Sequence, residues 1–553
     1  MAENAAAASH EKQLYNLIWQ LKLQAERSLT LRVGTLRQLL ADPDKLAELM
    51  SLSEASGDPA LVRLVQDIRK AQQAPAAGAP SRSGSRGALW GFVAAALGVV
   101  LMLVWWIGRG DGTPAPQAVA TVASTAAKPA VELPERRVFR LHGSNTVGEK
   151  LAPALIESWM KASGAAAVEV VDGAKAVERT VVGRFPQKGE RWTVELHAHG
   201  SSTAFKDLGS GTTDIGMSSR RIKDTEVASL KRRYGDLSAA GAEHVVGLDG
   251  LAVIVHRSNP LAALTSADVA RIFAGEIRDW GEVGGTAGPI ELHARDDVSG
   301  TYDTFKSLVL EAHGKSLSGT AHRYESSTEL SDRVAAAPAA IGFIGLPYVR
   351  NAKALGIAEE AGTLPIVPTS FTVGTEDYPL SRRLYLYAPA QPATPEAASF
   401  IAHALSTTGQ DVVRDVGLIS QNIYAQNVAP DPTLPRDYVA LTDGAERLSL
   451  NFRFRPASYQ LDNKGQRDLD RMVEFLSRQP TRTPMLLGFT DNYGEVGANV
   501  ALSLERARAV ERELQARGLY PRIVRGFGPA IAVASNRTES GREKNRRVEV
   551  WLR

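Results

Sequence analysis

The stretch "RDDVSGTYDTF", beginning at Arg295, sets a permanently charged planar donor four residues ahead of a Ser-Gly-Thr turn that opens an apolar periodic run. A guanidinium meets an oxyanion with a fork of N–H donors. A helix start adds unpaired backbone N–H groups and the positive end of the helix dipole. Ser299, Gly300 and Thr301 therefore read, with Arg295, as one side of an anion site. The same plan of strand end, small polar turn and helix start occurs twice upstream. In "HGSNTVGEK", Thr146 and Glu149 have the spacing of a capping box. In "HGSSTAFKDL", Ser201 and Ser202 supply the hydroxyls. One Gly-Ser cluster is usually only a turn; three in one region, one of them with an arginine, point to an anion.

Other chemistries have less support. The chain has no cysteine, which removes disulfides, thiol catalysis and thiolate metal sites together. Its ten histidines show no HExxH or other ligand spacing, so no metal and no cofactor is expected. His197 and His199 alternate on a predicted strand beside the Ser201 loop, which is the basis for a weaker reading as a Ser-His hydrolase. A half-solvated strand explains them equally well, and no catalytic residue is assigned. The formal charge of +3 gives no reason to expect nucleic acid, which needs a concentrated basic face.

These candidate residues belong to a chain of several parts, since 553 residues exceed one ordinary domain. Residues 1–75 read as a helical segment. Leu14, Ile18, Leu21, Ala25, Leu29, Val33, Leu36 and Leu40 recur at helical spacing, and two later segments each open with Asp-Pro. A linker (76–87) leads to "ALWGFVAAALGVVLMLVWWI" (88–107), which carries no charge and has Trp90, Trp105 and Trp106 at its ends. That length spans a hydrocarbon core of roughly 30 Å, and tryptophans anchor at the interfaces. Arg69, Lys70, Arg82 and Arg86 precede it, whereas Arg109, partly offset by Asp111, follows it. The positive-inside rule then predicts a cytoplasmic N-terminus and the rest of the chain outside. A Pro/Ala/Thr-rich linker (108–136) comes next. Strands and helices alternate over 137–428, and a smaller α/β unit occupies 446–553.

The motifs "GSNTVG", "GSSTAFKDLGSGTTDIGMSSR", "GLDGLAVIVHRSNPLAALTSADVARIFAGEIRDWGEV", "RDDVSGTYDTF" and "AAIGFIGLPYV" follow one another over about 138–425. In content, order and spacing they resemble the periplasmic phosphate-binding proteins of ABC importers. The resemblance implies an α/β fold of two lobes around a cleft, with phosphate held dry by hydrogen bonds. It assigns as ligands Thr146, the backbone N–H of Val147, Ser201, Ser219, Arg295, Ser299, Gly300 and Thr301. At Ser219 the chain departs from the family's pattern, in which an aspartate accepts the phosphate proton and so disfavours sulfate. Asp214 has the place of a structural acid. Asp296 and Asp297 are the carboxylates nearest to hand as substitutes.

The segments "GFTDNYGEVGANVALSLERARAV" and "GREKNRRVEVWL" are similar to the OmpA-like peptidoglycan-binding domain, over about 446–553. That resemblance implies a grip on diaminopimelate of the cell-wall stem peptide by Asp491 and Arg506, an acid for an ammonium and a fork for a carboxylate. Asn499 and Arg547 complete the assigned set, as residues shaping the pocket. The family's usual histidine is Phe489 here. Together the parts imply a single-pass protein of a bacterial inner membrane that binds phosphate or a related oxyanion and grips the wall. The alternative is a structural tether or a signalling, stator-like component that senses the anion. Ion conduction is excluded, since the apolar segment holds no ionisable residue. An ABC permease and an unknown cytoplasmic partner are both left open.

Overall fold

The structure is a computed structural model. It describes Ile18, Leu21, Ala25, residues 43–73 and residues 133–553, except 176, 298, 430, 432 and 455–457. The apolar stretch 88–107, the linker 76–87 and residues 108–132 of the second linker lie outside the described residues; the last two residues given to that linker, Glu135 and Arg136, already belong to a strand. Among the described residues no helix is long and apolar enough to cross a membrane.

In the N-terminal unit, helices Pro43–Ala55 and Pro59–Gln73 begin at the two Asp-Pro pairs. Proline suits a first turn, where its missing N–H costs nothing. Asp58 Oδ1 accepts from the N–H of Ala60 at 2.9 Å. Ile18, Leu21 and Ala25 are helical and share a small core with Leu46, Leu49, Leu61, Val65 and Ile68.

The remainder, from Leu133, is one compact unit. Its strands are β1 (Glu135–Gly143), β2 (Ala167–Asp172), β3 (Glu178–Phe185), β4 (Glu190–His197), β5 (Ile215–Ser218), β6 (Glu243–Val255), β7 (Ala263–Thr265), β8 (Glu291–Arg295), β9 (His322–Tyr324), β10 (Ala340–Gly345), β11 (Lys353–Ala354), β12 (Gly356–Ala358), β13 (Ser381–Tyr387), β14 (Ala425–Asn427), β15 (Glu446–Arg453), β16 (Pro484–Gly488), β17 (Ile523–Gly526) and β18 (Arg547–Leu552). The larger sheet runs β2-β3-β4-β1-β5-β13-β6-β10-β8-β9, with β11 on β6.

Strand β6 joins the two halves of that sheet. Its first part pairs with β13, up to Gly250↔Ser381, and its last five residues pair with β10. All thirteen of its residues are buried. Its second half, residues 251–255, is the continuous apolar run expected of a strand buried on both faces, whereas the first half also buries Glu243, His244 and Asp249. Separate cores flank the two halves. Phe139, Trp159, Trp192 and Phe400 anchor one; Phe273, Phe305, Phe343 and Trp280 anchor the other.

The C-terminal sheet runs β14-β15-β18-β16-β17, and β14 belongs to the chain that leaves the binding domain. Helices Asn463–Ser477 and Val496–Ala516 pack on it. A buried polar seam joins the two domains. Arg447 donates to Asp377 at 2.9 Å, Asn451 to Asp377 at 2.9 Å, Arg383 to Asp462 at 2.7 Å and Asn463 to Glu243 at 2.9 Å. Nothing in the sequence patterns announces this seam, because its residues are charged or amide rather than apolar.

Candidate functional site

The loops of Thr146, Ser201 and Ser219 emerge from the neighbouring strand ends of β1, β4 and β5, while the Ser299 loop follows β8 in the other half of the sheet. Gly143 closes β1 at φ 141°, a region that favours glycine. A Cβ there would lie 2.0 Å from the carbonyl oxygen of Met217. Gly200 donates to the Gly143 carbonyl at 2.7 Å and Ser144 to that of Met217 at 2.9 Å, which ties the loops of Thr146, Ser201 and Ser219 together. Gly300 packs directly on Thr146, where a Cβ would come within 2.8 Å of the threonine Cα.

A cavity of about 290 Å3 opens where the halves meet, lined among others by Thr146, Asp249, Arg295, Gly300, Thr301 and Ser327. Arg295 is 7% exposed. Its Nε donates to the Tyr324 carbonyl at 3.2 Å and its Nη1 to Ser327 Oγ. Among the described residues no carboxylate pairs with it. A buried guanidinium left without a counter-charge is costly, and an anion in the cavity removes that cost. Ser299 caps the next helix by accepting from the Thr301 N–H at 3.2 Å. Asp296 and Asp297 do not enter the cavity lining, and Asp297 pairs outward with Arg323 at 2.5 Å.

Several expectations change in detail. Thr146 does not cap a helix: it is itself helical, with no capping hydrogen bond, because the helix has already begun at Asn145. Its hydroxyl instead donates to the Gly300 carbonyl at 3.2 Å and accepts from Arg382 at 2.6 Å. Val147 is fully buried in the first, π-wound turn. Ser201 and Ser219 do not line the cavity. They face each other at the end of β5, with their hydroxyls 3.1 Å apart, and Ser201 Oγ accepts from the Ser219 N–H at 3.0 Å. Asp214 is structural, accepting from the Arg140 backbone at 2.8 Å and from its guanidinium at 2.9 Å.

Sequence reasoning missed Asp249 and Arg382, which pair at 3.3 Å from opposed positions on β6 and β13. Burial pulls the Arg382 pKa below its ordinary value, while Asp249 and Asp303 hold it up. It also missed Ser144 Oγ and Asn145 Oδ1, both buried without a protein partner although they stand in the "GSNT" turn. Ser326 and Ser327, which the sequence reading did not single out, start another helix at the cavity.

In the C-terminal domain, Arg506 is 4% exposed, and its Nε and Nη1 have no partner. Its guanidinium lies 5.6 Å from the Phe454 ring. Burial and the like charge of Arg546 lower its pKa; Asp491 opposes them. Asp491 accepts from Arg546 at 2.9 Å and from the Tyr493 N–H at 3.1 Å. Asn499 holds the same turn by donating to the Tyr493 carbonyl at 3.1 Å. Arg547 lies deeper. It is 0% exposed, donates to Glu549 at 2.8 and 3.0 Å, and stacks 4.1 Å from Phe489, so any part it has in shaping a pocket is exerted from within the core. Its neighbour Arg546, which the sequence reading passed over, is the arginine that reaches Asp491.

A family model described as the PBP superfamily domain matches residues 162–408. The phosphate-binding protein PstS of Pseudomonas aeruginosa is 33% identical over 242 residues, covering 41% of this chain and 73% of that protein. The chain belongs to the PstS family. The OmpA family model matches residues 453–546, so a PstS-type binding protein is fused here to an OmpA-like domain. The peptidoglycan-binding protein ArfA of Mycobacterium bovis is 38% identical over 97 residues, or 17% of this chain and 28% of ArfA. An ABC-type phosphate transport receptor from Vibrio cholerae, 24% identical, covers 51% of this chain and 99% of its own, with a TM-score of 0.38. The PstS-type chain is a binding protein and not an enzyme.

Proposed function

We propose that this protein captures phosphate, or a closely related oxyanion, in the cleft of its PstS-type domain while its OmpA-like domain grips peptidoglycan. The observation that carries the proposal is the buried Arg295 guanidinium, which lines the cavity and, among the described residues, is paired with no carboxylate. Thr301 and the N-termini of two helices stand around the same cavity, and Thr146 can turn its hydroxyl from Gly300 to an incoming anion. Ser201 and Ser219 would complete the ligand set from the adjoining strand end, with the N–H of Val147. In the OmpA-like domain, Arg506 would bind the carboxylate of diaminopimelate and Asp491 its ammonium, exchanging Arg546 for the ligand. Names of relatives support both readings, PstS for the anion and ArfA for the wall. Titration calorimetry with phosphate and sulfate tests the first, and sedimentation with purified peptidoglycan tests the second.

The sequence supports one location for the protein. Residues 88–107 would hold the protein in the inner membrane, with residues 1–87 cytoplasmic and both folded domains periplasmic. Protease added to spheroplasts should digest the large part and spare the N-terminal part. Protection of the large part would reverse the topology. The polar seam favours a second reading, in which the anion is sensed rather than delivered. Asp377, Glu243 and Asp462 fasten the binding domain to the wall-gripping domain, so the binding domain is not free to travel to a permease independently.

A further inference from the structure

Beside the anion loops lies a cluster that the function above does not use. β1 and β4 are parallel neighbours, and their register sets His142 directly against His197. Glu195 lies two residues earlier on β4, hence on the same face. On the other side, antiparallel β3 places Glu178 against His197. The sequence showed no ligand spacing because the residues come from three strands. Strand pairing alone assembles them.

The His142 and His197 rings stack with centroids 4.2 Å apart. Both send Nε2 to one oxygen: Glu195 Oε1 is 3.2 Å from His142 Nε2 and 3.6 Å from His197 Nε2. Metal–ligand bonds of about 2.0–2.1 Å in a tetrahedron put ligand atoms about 3.3–3.4 Å apart. The three atoms therefore already stand near the edge lengths of a coordination polyhedron, all within 4.8 Å of one another. An independent feature points the same way. His142 is buried, and its other nitrogen, Nδ1, meets Asp207 Oδ2 at 2.9 Å. A carboxylate behind a ligating imidazole fixes the ring and leaves Nε2 for the metal. His197 and Glu195 stay about a quarter exposed, which leaves a path for entry. Glu178 and His199, paired at 2.8 Å, stand next to His197 and can supply or border the fourth position.

We propose that His142, Glu195 and His197 form a binding site for a divalent transition metal of the zinc class, with Asp207 as the outer carboxylate of His142. Two imidazoles and one carboxylate suit zinc better than calcium or magnesium, which prefer all-oxygen shells. Such an ion would clamp the strand ends from which the Gly143–Thr146 and Gly200–Ser201 turns spring. A plain hydrogen-bonded cluster of His142 with Asp207 and Glu195 would need no ion.

The test is zinc retention by untagged full-length protein in detergent, stripped with chelator, reloaded and dialysed, with zinc counted by mass spectrometry. Wild type should hold about one zinc per chain. Asp207→Asn should weaken it by about 10- to 100-fold. His197→Gln and Glu195→Gln, each losing a ligand, should weaken it further, whereas His322→Ala in the other lobe should change nothing. Cobalt in place of zinc should give the visible absorption of a tetrahedral site in wild type and not in His197→Gln. Wild type that retains no zinc overturns the proposal, as does equal retention by His197→Gln and Glu195→Gln.

Discussion

Replacing Arg295 by methionine keeps the side chain's length and removes its charge. A guanidinium about 4 Å from a unit negative charge, at an effective dielectric near 20, contributes about 4 kcal/mol per charge, part of which returns to desolvation. Removing one partner of a buried charged pair costs about 2–5 kcal/mol, which is roughly 30- to several-thousand-fold in affinity. The anion-free protein should suffer much less. Tyr324 and Ser327 lose a donor, but an uncompensated buried charge is removed at the same time. The assay is thermal unfolding with and without phosphate, alongside calorimetry. At a thousand times its Kd, phosphate should stabilise wild type by about 4 kcal/mol. Arg295→Met should melt near the wild-type temperature without ligand and gain almost nothing with it. Arg295→Lys should also bind poorly, because a point charge cannot reproduce the fork. Phosphate affinity within about threefold of wild type in Arg295→Met would refute the placement of the anion against this guanidinium.

Ser219→Asp should raise the preference for phosphate over sulfate by at least about tenfold, or 1.4 kcal/mol, chiefly by repelling sulfate. Paired titrations at one pH read this, and an unchanged ratio would place selectivity elsewhere. In the OmpA-like domain, Arg506→Ala should abolish sedimentation with peptidoglycan while leaving phosphate affinity intact; retained sedimentation would exclude Arg506 as the carboxylate donor. His244 sits in the domain seam, where burial, with Arg467 close by, lowers its pKa from 6.5 to about 3. Between those values the unfolded chain takes up a proton that the native state refuses, so stability falls as pH falls through this window. Between pH 7 and pH 5 the loss from this group is about 2 kcal/mol. Denaturant unfolding of wild type and His244→Gln at both pH values reads it, and equal slopes in the two proteins would contradict the assignment.

What was legible from sequence were local signals. Arg295 ends a strand and Ser299 caps the next helix, both written within a few adjacent residues. The strand read at "LAVIVHR" is the second half of β6. Its first half, "EHVVGLDG", carries acids and glycines that only its central place in the sheet explains. Arg382 stayed hidden because its link to Asp249 is a matter of strand register, and the His142–Glu195–His197 cluster for the same reason. Arg546 and Arg547 show how a one-residue choice decides a role. Arg547, the first residue of β18, faces the core and pairs with Glu549, while Arg546 before it turns out to Asp491. The domain seam is built from Asp377, Glu243, Arg447 and Asn451, residue types that ordinarily lie at the surface, so composition gave no hint of an interface there.

We propose that the cleft binds phosphate. Titration calorimetry of the full-length wild-type protein, freed of bound anion and studied in detergent, tests it most directly. The expected result is one phosphate per chain, bound far more tightly in wild type than in Arg295→Met. No heat and no stabilisation by phosphate up to millimolar concentration would contradict it.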